Sequence, residues 1–278
     1  MTYNTIDAHQ HFWIFNPVRD SWISDDMSVI QKDFLPADLE VILKENGIDG
    51  SVVIQSVQSE AENDFHLKNA DRFDFIRGIV GWTDFTAREL EAKLDYYSQF
   101  NKLKGFRHVL QSEKQRDFML HPAFKKGISL LHKFNYTYDI LVYPDQLCYV
   151  KEFVKDFPKQ FFVIDHLAKP LIKNKEISKW NKDIAQIAEY ENVYCKISGL
   201  VTEADWSNWK PGDFKPYIDA IVHLFGTKRI MYGSDWPVCL IVTSYSKVKQ
   251  IVEQYFSSFS KPEKEDFFGK NAIKFYKL

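Results

Sequence analysis

A short apolar run followed by an amphipathic helical pattern recurs eight times along this 278-residue chain, and that recurrence constrains the fold more than any single motif. The apolar runs occupy residues 5–11, 50–55, 75–80, 103–110, 138–143, 161–166, 193–198 and 229–233. Most are short and rich in β-branched or aromatic residues, the composition of strands buried on both faces in a parallel sheet. The helical patterns fall at 36–46, 60–72, 87–100, 122–134, 147–157, 178–190, 214–225 and 245–259. Pro36 and Pro122 suit a first helical turn, and Gly47 suits a helix C-terminus. Repeated strand–helix units in a chain of this length predict a (β/α)8 (TIM) barrel spanning residues 1–278 as one domain. An open doubly wound sheet would carry a glycine-rich phosphate turn after its first strand, and none is present. Residues 262–278 read as an additional C-terminal helix, placed in the outer ring or closing one end of the barrel.

Composition narrows the functional classes. A hydrophobic content of 45% supports one substantial core, and a net charge of −2 offers no electrostatic footprint for nucleic acid or an anionic membrane. No apolar run approaches the roughly 18 residues needed to cross a bilayer. Cys148, Cys195 and Cys239 are far apart and form no Cys-x-x-Cys pair, as expected of reduced thiols in a cytoplasmic protein. The opening Met1-Thr2-Tyr3-Asn4 has no basic flank or apolar stretch behind it, so no secretory leader is expected.

In a barrel of this kind, chemistry gathers where the strands end. Strict alternation along residues 5–11 puts Asp7, His9 and His11 on one face, with Ala8 and Gln10 on the other. The second strand ends in Gln55, the third runs into Trp82 and Asp84, and the fourth ends in Arg107-His108. The sixth ends in Asp165-His166 with Lys169 beyond, the seventh in Lys196 and Ser198 with Glu203 beyond, and the eighth in Ser234-Asp235-Trp236. His9, His11, His166 and Asp235 are the residue types of a one-metal, zinc-like site with a position left for water. By contrast His66, His121, His132 and His223 fall in helical segments, where packing or surface roles are expected.

These strand-end motifs carry a resemblance. The stretches Ile6-Asp7-Ala8-His9-Gln10-His11-Phe12-Trp13, Lys104-Gly105-Phe106-Arg107-His108, Val163 to Pro170, Lys196-Ile197-Ser198-Gly199-Leu200 and Met231 to Val238 resemble, in the same order, those of the amidohydrolase superfamily. The match is best to its amidohydrolase-2 branch, which holds sugar-lactone hydrolases of the L-fuconolactonase and L-rhamnonolactonase type. The resemblance implies that Asp235 activates water. His9, His11 and His166 would hold a divalent, zinc-like ion together with Asp235, or polarise the carbonyl directly without a metal. Two-metal members need a bridging lysine on the fourth strand and a histidine on the fifth; around residues 136–143 this chain offers Asp139 and no histidine.

The activity so implied is opening of an aldonic (deoxy)sugar lactone, with the small-molecule lactone as partner and a homodimer compatible with the reading. His166 and Arg107 join Asp235 as catalytic candidates, Arg107 because its planar fork matches a carbonyl or carboxylate. Trp13, Trp82 and Trp236 are expected to face the sugar ring, and His108, Lys169 and Glu203 its polar groups. Loops 16–34 and 198–212 are expected to set specificity. Two other readings compete: a metal-dependent decarboxylase of a small unsaturated acid, disfavoured by the missing strand-five histidine, and a non-catalytic carbohydrate-binding barrel, disfavoured because the whole His/Asp set is present.

Overall fold

The eight strands run parallel and pair in chain order: β1 (Ile6–Gln10), β2 (Gly50–Ile54), β3 (Ile76–Gly81), β4 (Leu103–His108), β5 (Thr137–Ile140), β6 (Phe162–Ile164), β7 (Val193–Ile197) and β8 (Ile230–Tyr232). This computed structural model describes residues 4–278; Met1–Tyr3, where the leader reading begins, lie outside the described residues. The ring closes just beyond the strands, where Gln10 bridges Trp236. There the His11 N–H donates to the Trp236 carbonyl at 2.7 Å and the Asp235 N–H to the His9 carbonyl at 2.8 Å. Barrel closure is therefore made by the same two segments that carry the candidate chemistry.

The outer ring contains α1 (Pro36–Glu45), α2 (Glu60–Arg72), α3 (Leu90–Ser98), α4 (Pro122–Leu131), α5 (Leu147–Lys155), α6 (Ser178–Ala188), α7 (Pro211–Phe225) and α8 (Tyr245–Tyr255). Each follows its strand, as the recurrence predicted. Pro36 and Pro122 open α1 and α4, where a missing N–H costs nothing. Helix α7 starts at Pro211, three residues before the expected start at residue 214, because the Asp213 carboxylate accepts from the Lys210 N–H at 2.8 Å and caps the added turn.

The C-terminal segment departs from one continuous helix. It consists of α9 (Lys261–Glu265), a π-helical turn (Asp266–Lys270) and α10 (Asn271–Tyr276). Gly269 permits the turn to lie against the first strand, since a Cβ there would stand 2.1 Å from the Asn4 carbonyl oxygen. Helix α10 then closes the lower, strand-start end of the barrel. Ala272, Phe275 and Tyr276 pack with Ile6, Ala8, Val52, Val163 and Met231 in an inner core, separate from the larger core between sheet and helices. All three cysteines are free, and no helix among the described residues is long and apolar enough to cross a membrane.

Candidate active site

The first strand does not alternate strictly. Its pairing with β2 shifts register between Asp7 and Gln10, and one such shift reverses the face of everything before it. Asp7 is accordingly separated from the two histidines, correcting the expectation that all three project together. Its carboxylate accepts from the Ser234 N–H at 2.9 Å, the His9 N–H at 3.1 Å and the Tyr245 hydroxyl of α8 at 3.1 Å. Burial pushes this carboxyl up to about 6. Asp7 thus pins the turn after β8 from behind, and that turn presents Asp235 with a left-handed φ of 58°.

His9, His11, His166 and Asp235 converge. His9 Nε2 lies 3.2 Å from His11 Nε2, and Asp235 Oδ1 lies 3.4 Å from His11 Nε2 and 3.8 Å from both His9 Nε2 and His166 Nε2. His11 Nδ1 meets only the Ile54 carbonyl, at 2.8 Å, so it must carry the proton and leave a lone pair on Nε2. His166 Nδ1 is 2.9 Å from Ser198 Oγ. His166 is aimed by an unusual backbone: His166, Leu167, Ala168 and Lys169 all have φ between 50° and 55°. The left-handed conformation costs roughly 1–2 kcal/mol per residue, and it is held here by the Trp180 indole donating to the Leu167 carbonyl at 2.7 Å. Gly199 packs against this ring so closely that a Cβ would stand 2.6 Å from His166 Nδ1.

Electrostatics keep the set in a ligand-ready form. Burial drives His9 well below the ordinary imidazole value and lowers His166 to about 4, against the pull of neighbouring aspartates. Burial would raise Asp235, but the surrounding imidazoles, His166 first, outweigh it and hold the carboxyl well below its usual range. Imidazole nitrogens and a carboxylate oxygen are the donors a zinc-type ion takes, so these residues fit one divalent cation. A second possible ligand group, His9 with Asp165 and His166, is blocked, because Asp165 is already committed to cations. Arg107 Nη1 lies 2.9 Å from Asp165 Oδ2, and Lys196 Nζ lies 2.9 Å from Asp165 Oδ1 and 2.5 Å from Asp139 Oδ2.

Of this buried chain of charge below the histidines, the strand-end pattern assigns a role to Arg107 alone. Its signal lies in the strands: β4, β5 and β7 carry Arg107, Asp139 and Lys196, and a fourth ionisable residue, Asp165, directly follows β6. Lys196, Asp139 and Asp165 are fully buried. Arg107 also donates to the Gln55 carbonyl and comes within 3.5 Å of His9 Nε2, so it braces the site as well as reaching its surface.

Above the histidines opens a cavity of about 820 Å³. His11, Arg107, His166 and Asp235 form its floor, and Lys169 and Glu203, 3.5 Å apart, stand on its wall. Burial raises the Glu203 carboxyl, against Lys169. Trp13, Trp82, His108 and Trp236, expected to meet substrate, do not line this cavity. His108 follows inward-facing Arg107 and so points the other way, between the Trp82 indole at 3.3 Å and Glu113 at 2.7 Å. Trp236 packs edge-on against Phe12 and Phe34, and Trp13 bridges to Phe34. The rings that reach the cavity are Trp22, Tyr143 and Trp206. Trp22 and Trp206 come from the two loops expected to set specificity, although neither ring was singled out. His121, at the N-terminal edge of α4, His132 and His223 are exposed and His66 is buried in α2, all away from the cavity.

A family model described as amidohydrolase matches residues 6–278. The chain belongs to the amidohydrolase family. It is 34% identical to an L-fucono-1,5-lactonase of Burkholderia multivorans, over 98% of this chain and 96% of that protein. It is 32% identical to an L-fucono-1,5-lactonase of Burkholderia ambifaria, over 98% and 95%. Among solved structures, an amidohydrolase from Burkholderia multivorans with bound zinc superimposes with a TM-score of 0.95 at 34% identity, covering 99% of each chain.

Proposed function

We propose that this amidohydrolase opens the ring of an uncharged deoxy-sugar aldonolactone of the L-fuconolactone type. The observation that carries the reading is the convergence of three imidazoles on one carboxylate beneath a cavity whose cations are already paired. Arg19 pairs with Asp20 at 2.8 Å, Arg107 with Asp165, and Lys169 with Glu203. No unpaired Lys or Arg among the described residues lines the cavity to receive a substrate carboxylate. The Lys169–Glu203 pair can instead donate to and accept from hydroxyls, and Trp22 and Trp206 offer aromatic faces to a sugar's C–H surface. The Burkholderia lactonase relatives support the same substrate class.

His9, His11, His166 and Asp235 would hold a divalent cation, which would supply Lewis-acid polarisation of the ester carbonyl. Asp235 takes the proton of the attacking water as its oxygen bonds to the carbonyl carbon. It then returns that proton to the ring oxygen as the carbon–oxygen ring bond breaks, giving the open hydroxy acid. A positioned acid–base group of this kind is worth about 10²–10⁴ in rate. Zinc bound in the Burkholderia multivorans structure supports the metal reading.

A pH-indicator screen of aldonolactones, with metal analysis of the purified protein, tests the proposal. The expected result is acid release from a neutral deoxy-sugar lactone, loss of activity with chelator and recovery with zinc. Lys169→Met is expected to raise KM several-fold with a smaller change in kcat. Absence of acid release across the panel from zinc-loaded protein would overturn the reading.

The pH dependence follows from His166. Its value of about 4 lies below the ordinary 6.5, so the unfolded chain takes up the proton first as pH falls. This residue's contribution to stability is fully present above about 6.5, whereas activity, which follows the folded value, persists towards pH 4. Stability declines as pH falls from 6.5 towards 4, and kcat/KM loses its neutral imidazole near pH 4. A rate profile with its acid limb at pH 6 or above would contradict this assignment.

A further inference from the structure

His9 is the imidazole whose rear nitrogen has a choice of partner. His11 Nδ1 faces a carbonyl, which can only accept, so its tautomer is fixed. His9 Nδ1 lies 3.3 Å from Asp165 Oδ1, an acceptor, and 3.2 Å from Lys196 Nζ, a donor. If Nδ1 carries the proton it donates to Asp165, and Nε2 keeps a lone pair towards His11 and Asp235. If Lys196 donates into Nδ1, the proton sits on Nε2 and the lone pair is lost from the site. The two states differ only in which nitrogen of one neutral ring holds the proton.

What Lys196 does depends on its other partners. Its shortest contact is Asp139 Oδ2 on β5 at 2.5 Å, and that oxygen also accepts from the Tyr276 hydroxyl at 2.7 Å. Tyr276 belongs to α10, the helix closing the lower end of the barrel, and Lys196 lies over its ring at 5.5 Å. Asp139 does not line the cavity, yet it is fully buried on the side of Lys196 held by α10.

We propose that Asp139 is a positioning residue that sets the tautomer of His9: fixed by Tyr276, it draws the Lys196 ammonium towards the barrel floor, so that His9 Nδ1 donates to Asp165 and Nε2 faces the site as a free lone pair. The C-terminal helix is on this reading part of the active-site architecture. The inference rests on the ligand role of His9 in the proposed function, but it is read without substrate, so failure of the lactonase reading leaves its test standing.

The experiment is long-range 15N–1H NMR of histidine-labelled protein, stripped of metal, combined with zinc affinity by chelator competition. Wild-type His9 is expected as the Nδ1–H tautomer. The near-isosteric Asp139→Asn variant is expected to shift His9 towards Nε2–H and to weaken zinc 10–100-fold, the usual cost of removing an outer partner of a metal-binding histidine. Its kcat is expected to fall while KM stays within twofold. The double variant Asp139→Asn/Lys196→Met, which removes donor and anchor together, is expected to return His9 to Nδ1–H. A wild-type His9 in the Nε2–H form overturns the proposal whether or not the variants fold. So does an Asp139→Asn protein that keeps the wild-type tautomer and zinc affinity.

Discussion

Asp235→Asn is expected to lower kcat/KM for the lactone by at least about 10³-fold, within the range of a lost acid–base group, and to leave the fold intact. The carboxylate is at the centre of the site, facing three imidazole Nε2 atoms at 3.4–3.8 Å. Asparagine keeps the shape but cannot take a proton from water, and it removes the negative charge that completes the cation site. The substitution is a clean one because residue 235 adopts a φ of 58°, a conformation asparagine tolerates better than most residues. The Asp7 clamp on Ser234 and the closing hydrogen bond from the residue 235 N–H to His9 use other groups and survive it. Melting temperature should therefore change little, while zinc affinity and turnover both fall. An Asp235→Asn enzyme with near-wild-type turnover would remove the residue from the mechanism.

The barrel was legible because its strands are buried on both faces, so they appear as short, mostly apolar runs such as Val52-Val53-Ile54. Strand ends were legible for the same reason: polarity begins where the barrel mouth begins, and His9, His11, His166 and Asp235 stand there. Three features were not legible. The register shift in β1 leaves no mark in Ile6-Asp7-Ala8-His9, so alternation put Asp7 on the wrong face. The left-handed run from His166 to Lys169 contains no glycine or asparagine to announce it; it is imposed by packing, with Trp180 bonding the Leu167 carbonyl from α6. Proximity to a strand end also does not say which way a ring turns, which is why Trp13 and Trp236 became wall packing while Trp22 and Trp206 reached the cavity from distant loops. The pairing of Asp139, Asp165 and Lys196 required three adjacent strands to be placed side by side before their charges could be matched.

That pairing sets the second large effect. Lys196→Met is expected to destabilise the protein by about 3–5 kcal/mol, because removing one partner of a buried ionic group leaves an uncompensated charge. Asp165 keeps Arg107, but Asp139 keeps only the Tyr276 hydroxyl. The penalty should depend on pH in a defined direction. Burial already raises the Asp139 carboxyl to about 6 from an ordinary 3.8, even with Lys196 pulling it down. A raised carboxyl contributes stability that is present below its unfolded value and lost as pH rises through its folded value. Without Lys196 the carboxyl rises further, so the deficit relative to wild type should be smallest in mild acid and grow through neutral pH. Adding Asp139→Asn should recover part of the loss, since an amide in that position carries no charge to strand. Urea unfolding of wild type, both single variants and the double variant at pH 5 and pH 8 measures each term. A Lys196→Met protein as stable as wild type at pH 8, or a double variant less stable than Lys196→Met, would show that the ammonium is not what holds Asp139 in the barrel floor.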